Sequence, residues 1–471
     1  MTYLGNPLKL MRLIYNSFAI IALCCSLLFS AQGKDWKSYF QAETLDVFLN
    51  GKSAGELISL IAPDGNGIVI KNTISTALDD GRGNLIKADI VEARYYNADF
   101  TLKRALQEMK SPAGANRWEL VRNEQKMWVL KSWLGGALSS RLLPAVYDKS
   151  GSFLEIYDGI KNKSLQINQS WTDTVVELTS GDNIVSSVTC VEKASPKNGY
   201  VWKFIEKNSL QNQSQSWLVD TNGNTIIHEI FPFVAKRKGS KESEESAANI
   251  FESFRIAVSG AVTHNDRIMI TLDSSCTLDS SVIHFYHRIN DSYEFIRPAD
   301  SCGASVAVKA DSLQRYLIPT PTLQSDHPEI RALAKKLTRS SKPCEIIKVL
   351  NSYVFTKMEK RYTATFSSAL ESLRSGFGDC GEHAVLLAAL LRASGVPARI
   401  VNGVVYMPEK NGYYYHVWVM AHDGIHWLFA DPAFGLFPAT HDRLPFVIDD
   451  EGERLLAIAK VIGKVSVKIV K

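Results

Sequence analysis

GFGDCGEHAVLLAALLRASGVPAR (Gly376–Arg399) holds a glycine-rich turn, a helix start and a helix end, with Cys380 at the start. Asp379 is a favoured N-cap residue and Glu382 stands three positions on, so D-C-G-E reads as a capping box with Cys380 as the first helical residue. Ala384, Leu387, Leu390 and Leu391 follow at helical spacings, and Gly395 with Pro397 ends the run. A thiol in the first turn feels the partial positive charge of unpaired N–H groups, which favours thiolate and lowers its pKa from roughly 8.5. The same groups suit an oxyanion. Taken alone, Cys380 reads as readily as a small buried hydrophobe.

Downstream residues weigh against that alternative. Ala398–Tyr406 is a β-branched strand that ends at Pro408, Asn411-Gly412 makes a turn, Tyr413–Ala421 is a second strand and Ile425–Asp431 a third. Asp423-Gly424 reads as a two-residue hairpin loop, which makes the numbers of facing residues sum to 847. His416 and Asp431 satisfy that sum, so they are expected opposite each other with β-carbons roughly 5 Å apart. Asp431 then takes one ring nitrogen of His416 and leaves the other for Cys380, giving nucleophile, base and orienter. The bland alternative is an ordinary polar pair on a half-exposed sheet. Tyr414 and Trp418 alternate onto the His416 face and are candidate substrate-binding walls, although strand composition accounts for them too. His383 is an alternative base that lacks an orienter, and Arg399 reads as a structural ion pair at a strand start.

At these residues the chain resembles the transglutaminase-like (papain-like cysteine) superfamily, especially its secreted bacterial members. The shared features are G-D-C-x-E-H-A, L-L-R-A-x-G-[IV]-P-A-R, Y-H-x-W and W-x-x-x-D-P, in order over roughly Pro328 to Pro438. The resemblance implies Cys380 as nucleophile, His416 as base and Asp431 as orienter. Met420 stands where many relatives carry an acidic residue.

The first residues bear on the compartment. Lys9 and Arg12 precede the apolar run Phe18–Phe29, and Ala31-Gln32-Gly33 fits a small-x-small cleavage site, so residues 1–33 read as a secretory signal peptide. The run is short for a membrane span, and no integral span is expected in the mature chain. Loss of the leader lowers the net charge from +4 to about +2, which argues for neither nucleic acid nor an acidic membrane as partner. Cys190, Cys276, Cys302, Cys344 and Cys380 remain, an odd number that leaves one thiol for chemistry in an oxidising compartment. Cys276 with Cys302 is the expected disulfide. No metal-ligand spacing and no nucleotide-binding glycine motif occurs, so no cofactor or metal is expected.

The fold class expected is α+β: a catalytic unit of helices followed by antiparallel sheet, preceded by a β-rich antiparallel region. The divisions are 1–33 (signal peptide), 34–237 (β-rich domain), 238–312 (linker and small β segment), 313–449 (catalytic domain) and 450–471 (a strand that pairs back). Short alternating runs such as GIVIKN, FLEIYD and TVVELT carry the β-rich reading, DTNGN (Asp220–Asn224) is its clearest hairpin, and Leu102–Met109 its one expected helix. Helices are expected near Pro328–Leu337 and Pro343–Phe355. The function expected is a secreted or periplasmic thiol hydrolase, a cysteine protease or amidase that cleaves amide bonds of a polypeptide substrate through a thioester. The alternatives are protein-glutamine transglutaminase chemistry and a non-catalytic peptide-binding module. A role for the β-rich region in holding extended peptide by strand addition is a further expectation.

Overall fold

The computed structural model describes residues 40–470 apart from a set of gaps, the longest being 239–254, 450–460 and 304–310. The leader expected over 1–33 and most of the charged linker lie outside the described residues. The chain divides into two compact units, one formed mainly by residues up to 253 and the other mainly by residues from 254 onward.

The first unit is one antiparallel sheet of fourteen strands made from two meanders. The first meander comprises β1 (Gln41–Leu49), β2 (Lys52–Asp64), β3 (Gly67–Asp79), β4 (Leu85–Tyr96), β5 (Leu102–Ser111), β6 (Gly114–Arg122), β7 (Trp128–Leu134) and β8 (Ala137–Leu143). After helix α1 (Ser152–Lys161) come β9 (Ser170–Val176), β10 (Asn183–Lys193), β11 (Trp202–Asn208), β12 (Ser214–Val219), β13 (Thr225–Ile230) and β14 (Phe233–Arg237). β1 joins the meanders by pairing with β14, Leu45 opposite Arg237 and Leu49 opposite Phe233. The sheet rolls: a β-carbon on Gly181, in the β9–β10 turn, would lie 2.9 Å from Leu143 of β8.

Two local expectations exchange places here. LKRALQEM, composed of good helix formers, is strand β5, because Ala105, Gln107 and Met109 alternate into the interior while both edges bond to β4 and β6. FLEIYD, expected as a strand, lies in α1, whose buried Ile156 and Ile160 are four apart and pack with Trp171, Trp202 and Phe204. The DTNGN turn forms as expected, with Asp220 Oδ1 accepting from the backbone N–H groups of Asn222 and Asn224.

The second unit holds α2 (Pro328–Leu337), α3 (Pro343–Lys357), α4 (Ala369–Ser375) and α5 (Cys380–Ala393). Between and after them run β19 (Glu359–Lys360), β20 (Phe377–Gly378), β21 (Ala398–Met407), β22 (Gly412–His422), β23 (Trp427–Ala430) and β24 (Arg443–Asp449). A small sheet contains β16 (Arg267–Leu272), β17 (Tyr286–Ile289), β18 (Ser292–Phe295) and the tail strand β25 (Val465–Val470), which pairs back onto β16; the two-residue β15 (Ile256–Ala257) edges the main sheet. The core is α5 wrapped by its neighbours: every residue from Cys380 to Arg392 is buried, and Leu386, Leu387 and Leu390 pack with Ile347, Leu350, Val417 and Val419. All eleven residues of β22 are buried, which explains a strand that reads as a continuous apolar and aromatic run rather than an alternation.

The disulfide joins Cys302 to Cys344 and Cys276 is not disulfide-bonded, which corrects the expected Cys276–Cys302 pair. Cys302 is brought to the start of α3 because its neighbours are held by β22–β23: Ala299 bridges Leu428, and the Gly303 N–H donates to Asp423 Oδ2 at 2.7 Å. Among the described residues no helix is long and apolar enough to cross a membrane.

Candidate active site

Cys380 opens α5 as the sequence implies. The Gly381 N–H donates to Asp379 Oδ1 at 2.7 Å, the Asp379 side chain also takes the Glu382 N–H, and the Asp379 N–H donates to Glu382 Oε2 at 3.1 Å. This closed capping box fixes the first turn and consumes two of its N–H groups, so the anion-binding capacity expected of the helix start does not include Gly381 or Glu382. Glu382 is wholly buried, and its Oε1 accepts from the Ser367 N–H at 3.2 Å. Gly378 is required beside it: a β-carbon there would stand 2.3 Å from Glu382 Cβ.

His416 lies on β22 opposite Gly403 of β21. Its Nε2 meets Asp431 Oδ2 at 2.7 Å, with both side chains buried. The route to that contact differs from the expected one. Asp423 Oδ1 accepts from the N–H groups of Ile425 and His426, and the Asp423 N–H bonds to the His426 carbonyl, so the loop has four residues and facing residues of β22 and β23 sum to 849. Asp431 therefore lies just past the end of β23, diagonal to His416 rather than opposite it. A shift of two keeps the side-chain parity, which is why the pair still meets.

Asp431 has every acceptor position employed. Oδ1 takes the N–H groups of Ala433 and Phe434 at 3.0 and 3.1 Å, while Oδ2 takes Arg443 Nε at 2.8 Å and Nη2 at 2.7 Å in addition to His416. Burial alone would raise this carboxyl, but the charges of His416 and Arg443 and their hydrogen bonds outweigh it and hold it far below the usual carboxylate range. Asp431 is thus an anion throughout ordinary pH. Phe434 stands edge-on to the His416 ring at 5.0 Å and Trp418 is stacked 6.1 Å away.

Cys380 shares one core cluster with Val417, the neighbour of His416, and with Ala430 and Ala433, which flank Asp431. The charge of Asp431 also reaches His383, on the helix that Cys380 opens. His383 itself is no candidate base: it is wholly buried, its Nδ1 lies 2.6 Å from the Asp379 carbonyl, and burial pushes its pKa down to about 4. Tyr414 and Trp418, expected as cleft walls, are 1% and 0% exposed and offer no surface to a ligand in this conformation, because both faces of the sheet are covered. Arg399, expected in an ion pair, lies over the rings of Tyr316 and Trp427. Sequence reasoning missed Arg443 and Gly403. The available signal for the first is an arginine heading the apolar strand RLPFVID, since a buried guanidinium requires a carboxylate partner.

Residues 331–432 match the family model of the transglutaminase-like superfamily. No curated protein matches the chain in sequence. Among solved structures, a candidate cysteine protease from Cytophaga hutchinsonii is similar at 14% identity over 64% of this chain and 74% of its own, with a TM-score of 0.29. A β-barrel-like protein from Brucella abortus is similar at 13% identity over 41% of this chain and 93% of its own, TM-score 0.30. A candidate protease from Parabacteroides distasonis is similar at 13% identity over 72% of this chain and 63% of its own, TM-score 0.21.

Proposed function

From the premise that residues 331–432 form a transglutaminase-like domain, we propose that the chain is an extracytoplasmic thiol enzyme that cleaves amide bonds of polypeptides. The observation that carries the reading is the 2.7 Å bond between His416 Nε2 and the permanently ionised Asp431, which fixes the ring and leaves Nδ1 for a thiol. The Cys380 thiolate attacks the carboxamide or peptide carbonyl, and the resulting oxyanion collapses as imidazolium His416 gives its proton to the departing amine. The thioester that remains is hydrolysed when His416 takes a proton from water, which releases the acid and restores the thiol. Hydrolysis is favoured over transfer to a second amine because no sequence feature marks a dedicated amine site. The Cys302–Cys344 disulfide supports an oxidising compartment, as does the leader-like start of the sequence.

The test is incubation of the mature protein with a glutamine-rich protein and a labelled primary amine. New peptide ends or ammonia release that Cys380→Ala abolishes is the expected result. Label incorporation lost in the same variant would reassign the chain to transamidation. Neither product, with Cys380 inert to iodoacetamide at neutral pH, would sink the enzyme reading and leave the binding module.

A further inference from the structure

Arg443 is the buried charge that the triad does not account for. It heads β24, is 1% exposed, and reaches Asp431 Oδ2 through two nitrogens on the same oxygen that holds His416. Its remaining nitrogen, Nη1, bonds to Asp442 Oδ1 at 2.5 Å, and its guanidinium lies 5.3 Å from the Phe434 ring that stands edge-on to His416. A single carboxylate thus serves two cations, one fixed and one titratable.

We infer that Arg443 is a positioning residue of the site proposed above, acting through Asp431: it locks the carboxylate that orients His416 and limits how strongly that carboxylate stabilises the imidazolium. The charge count explains why such a group is useful. With Cys380 as thiolate, His416 as imidazolium and Asp431 ionised, the triad alone carries one net negative charge in a buried setting; Arg443 brings the four-group set to zero. It also competes with His416 for the same oxygen, so the imidazolium has only a share of that carboxylate. Among the described residues, the other ionisable groups around this pair are Asp442, on the far side of the guanidinium, Lys360 from β19, and His383 and Cys380 from α5. Asp442 is partly exposed and tempers Arg443, Lys360 feels the Asp431 charge and is itself lowered to about 8 by burial, and His383 is neutral above about pH 4. None of these replaces the two-nitrogen contact.

The inference rests on the thiol-enzyme reading for its purpose but not for its test. The pH at which His416 titrates is followed by NMR of histidine-labelled full-length protein, which needs no substrate. In Arg443→Met the midpoint is expected to rise by roughly one unit or more, the size of a buried charge effect. In Arg443→Lys most of the shift is expected to be rescued, because the charge stays. In Asp442→Asn, a half-exposed change that leaves the core intact, the midpoint is expected to fall. Should Arg443→Met fail to fold, the Asp442 and Lys variants still decide: an unchanged or raised midpoint in Asp442→Asn overturns the inference, as does a midpoint in Arg443→Lys displaced as far from wild type as removal of the charge would displace it. Loss of turnover in wild type with the expected His416 shifts would instead fault the enzyme reading alone.

Discussion

Two places in the molecule, one in each unit, bury polar side chains on opposite terms. On the rolled sheet, Asn72, Glu92 and Gln107 stand side by side across β3, β4 and β5, all at most 5% exposed. Glu92 accepts from Arg94 at 2.7 Å, whereas the amide atoms of Asn72 and Gln107 have no hydrogen-bond partner. In the second unit, Asp431 is at least as buried, yet both of its oxygens are fully engaged. Burial of a polar group therefore marks nothing by itself. A closed network around one group, with a titratable ring as a member, marks a site.

The strongest way to break the contrast is Asp431→Ala, which leaves Arg443 and His416 without their shared anion. A loss of about 3–5 kcal/mol is expected from the uncompensated buried cation, measured by denaturant unfolding; a loss below about 1 kcal/mol would mean the network is dispensable to the fold. Acid should act through the same region. His383 titrates near 4 when folded and near its ordinary value when unfolded, so its stabilising contribution is complete above about pH 6.5 and is lost as pH falls toward 4, on the order of 3 kcal/mol. Burial is the main cause, and the Asp379 carbonyl opposes it. Unfolding curves between pH 7 and 4 should therefore fall less steeply in His383→Gln than in wild type.

A smaller effect sharpens the backbone side of the argument. Gly403→Ala puts a methyl where a β-carbon would lie 2.0 Å from the Leu444 carbonyl oxygen and 2.7 Å from the Trp418 ring, so β24 must move away from β21. About 1–3 kcal/mol is expected, together with a displaced His416 resonance, since β21 faces His416 at this residue. The smallest effect belongs to the other unit. Gln107→Leu removes an amide that bonds to nothing and is expected to be neutral or stabilising by up to about 1 kcal/mol. A clear loss of stability there would show that the amide is engaged, and would erase its contrast with Asp431.

Local chemistry made the site legible and distant chemistry did not. The capped helix was readable because Asp379 and Glu382 act within a few residues of Cys380, and Gly395 within a few residues of the helix end. The His416–Asp431 pair was readable from the parity of a hairpin, although the loop length was not, since the Asp423 carboxylate widens the turn by capping two N–H groups. Arg443 lies twelve residues beyond Asp431 and reaches it from another strand, so nothing local announces it. In the β-rich region the alternation was legible for most strands. LKRALQEM misled because helix propensity is overruled when neighbours bond to both edges, and FLEIYD because its apolar spacing fits either period over six residues.

The pairing of β1 with β14 has a consequence for how the first unit is made. Every other strand pair in its fourteen-stranded sheet joins neighbours in the chain, so each meander can assemble hairpin by hairpin as it is synthesised. The β1–β14 contact is a single seam that closes only when the last strand arrives, some 190 residues after the first. Until then β1 is an open edge, and the short run from Leu45 to Leu49 that will meet Phe233 to Arg237 is the place where a partly made chain is exposed to mispairing.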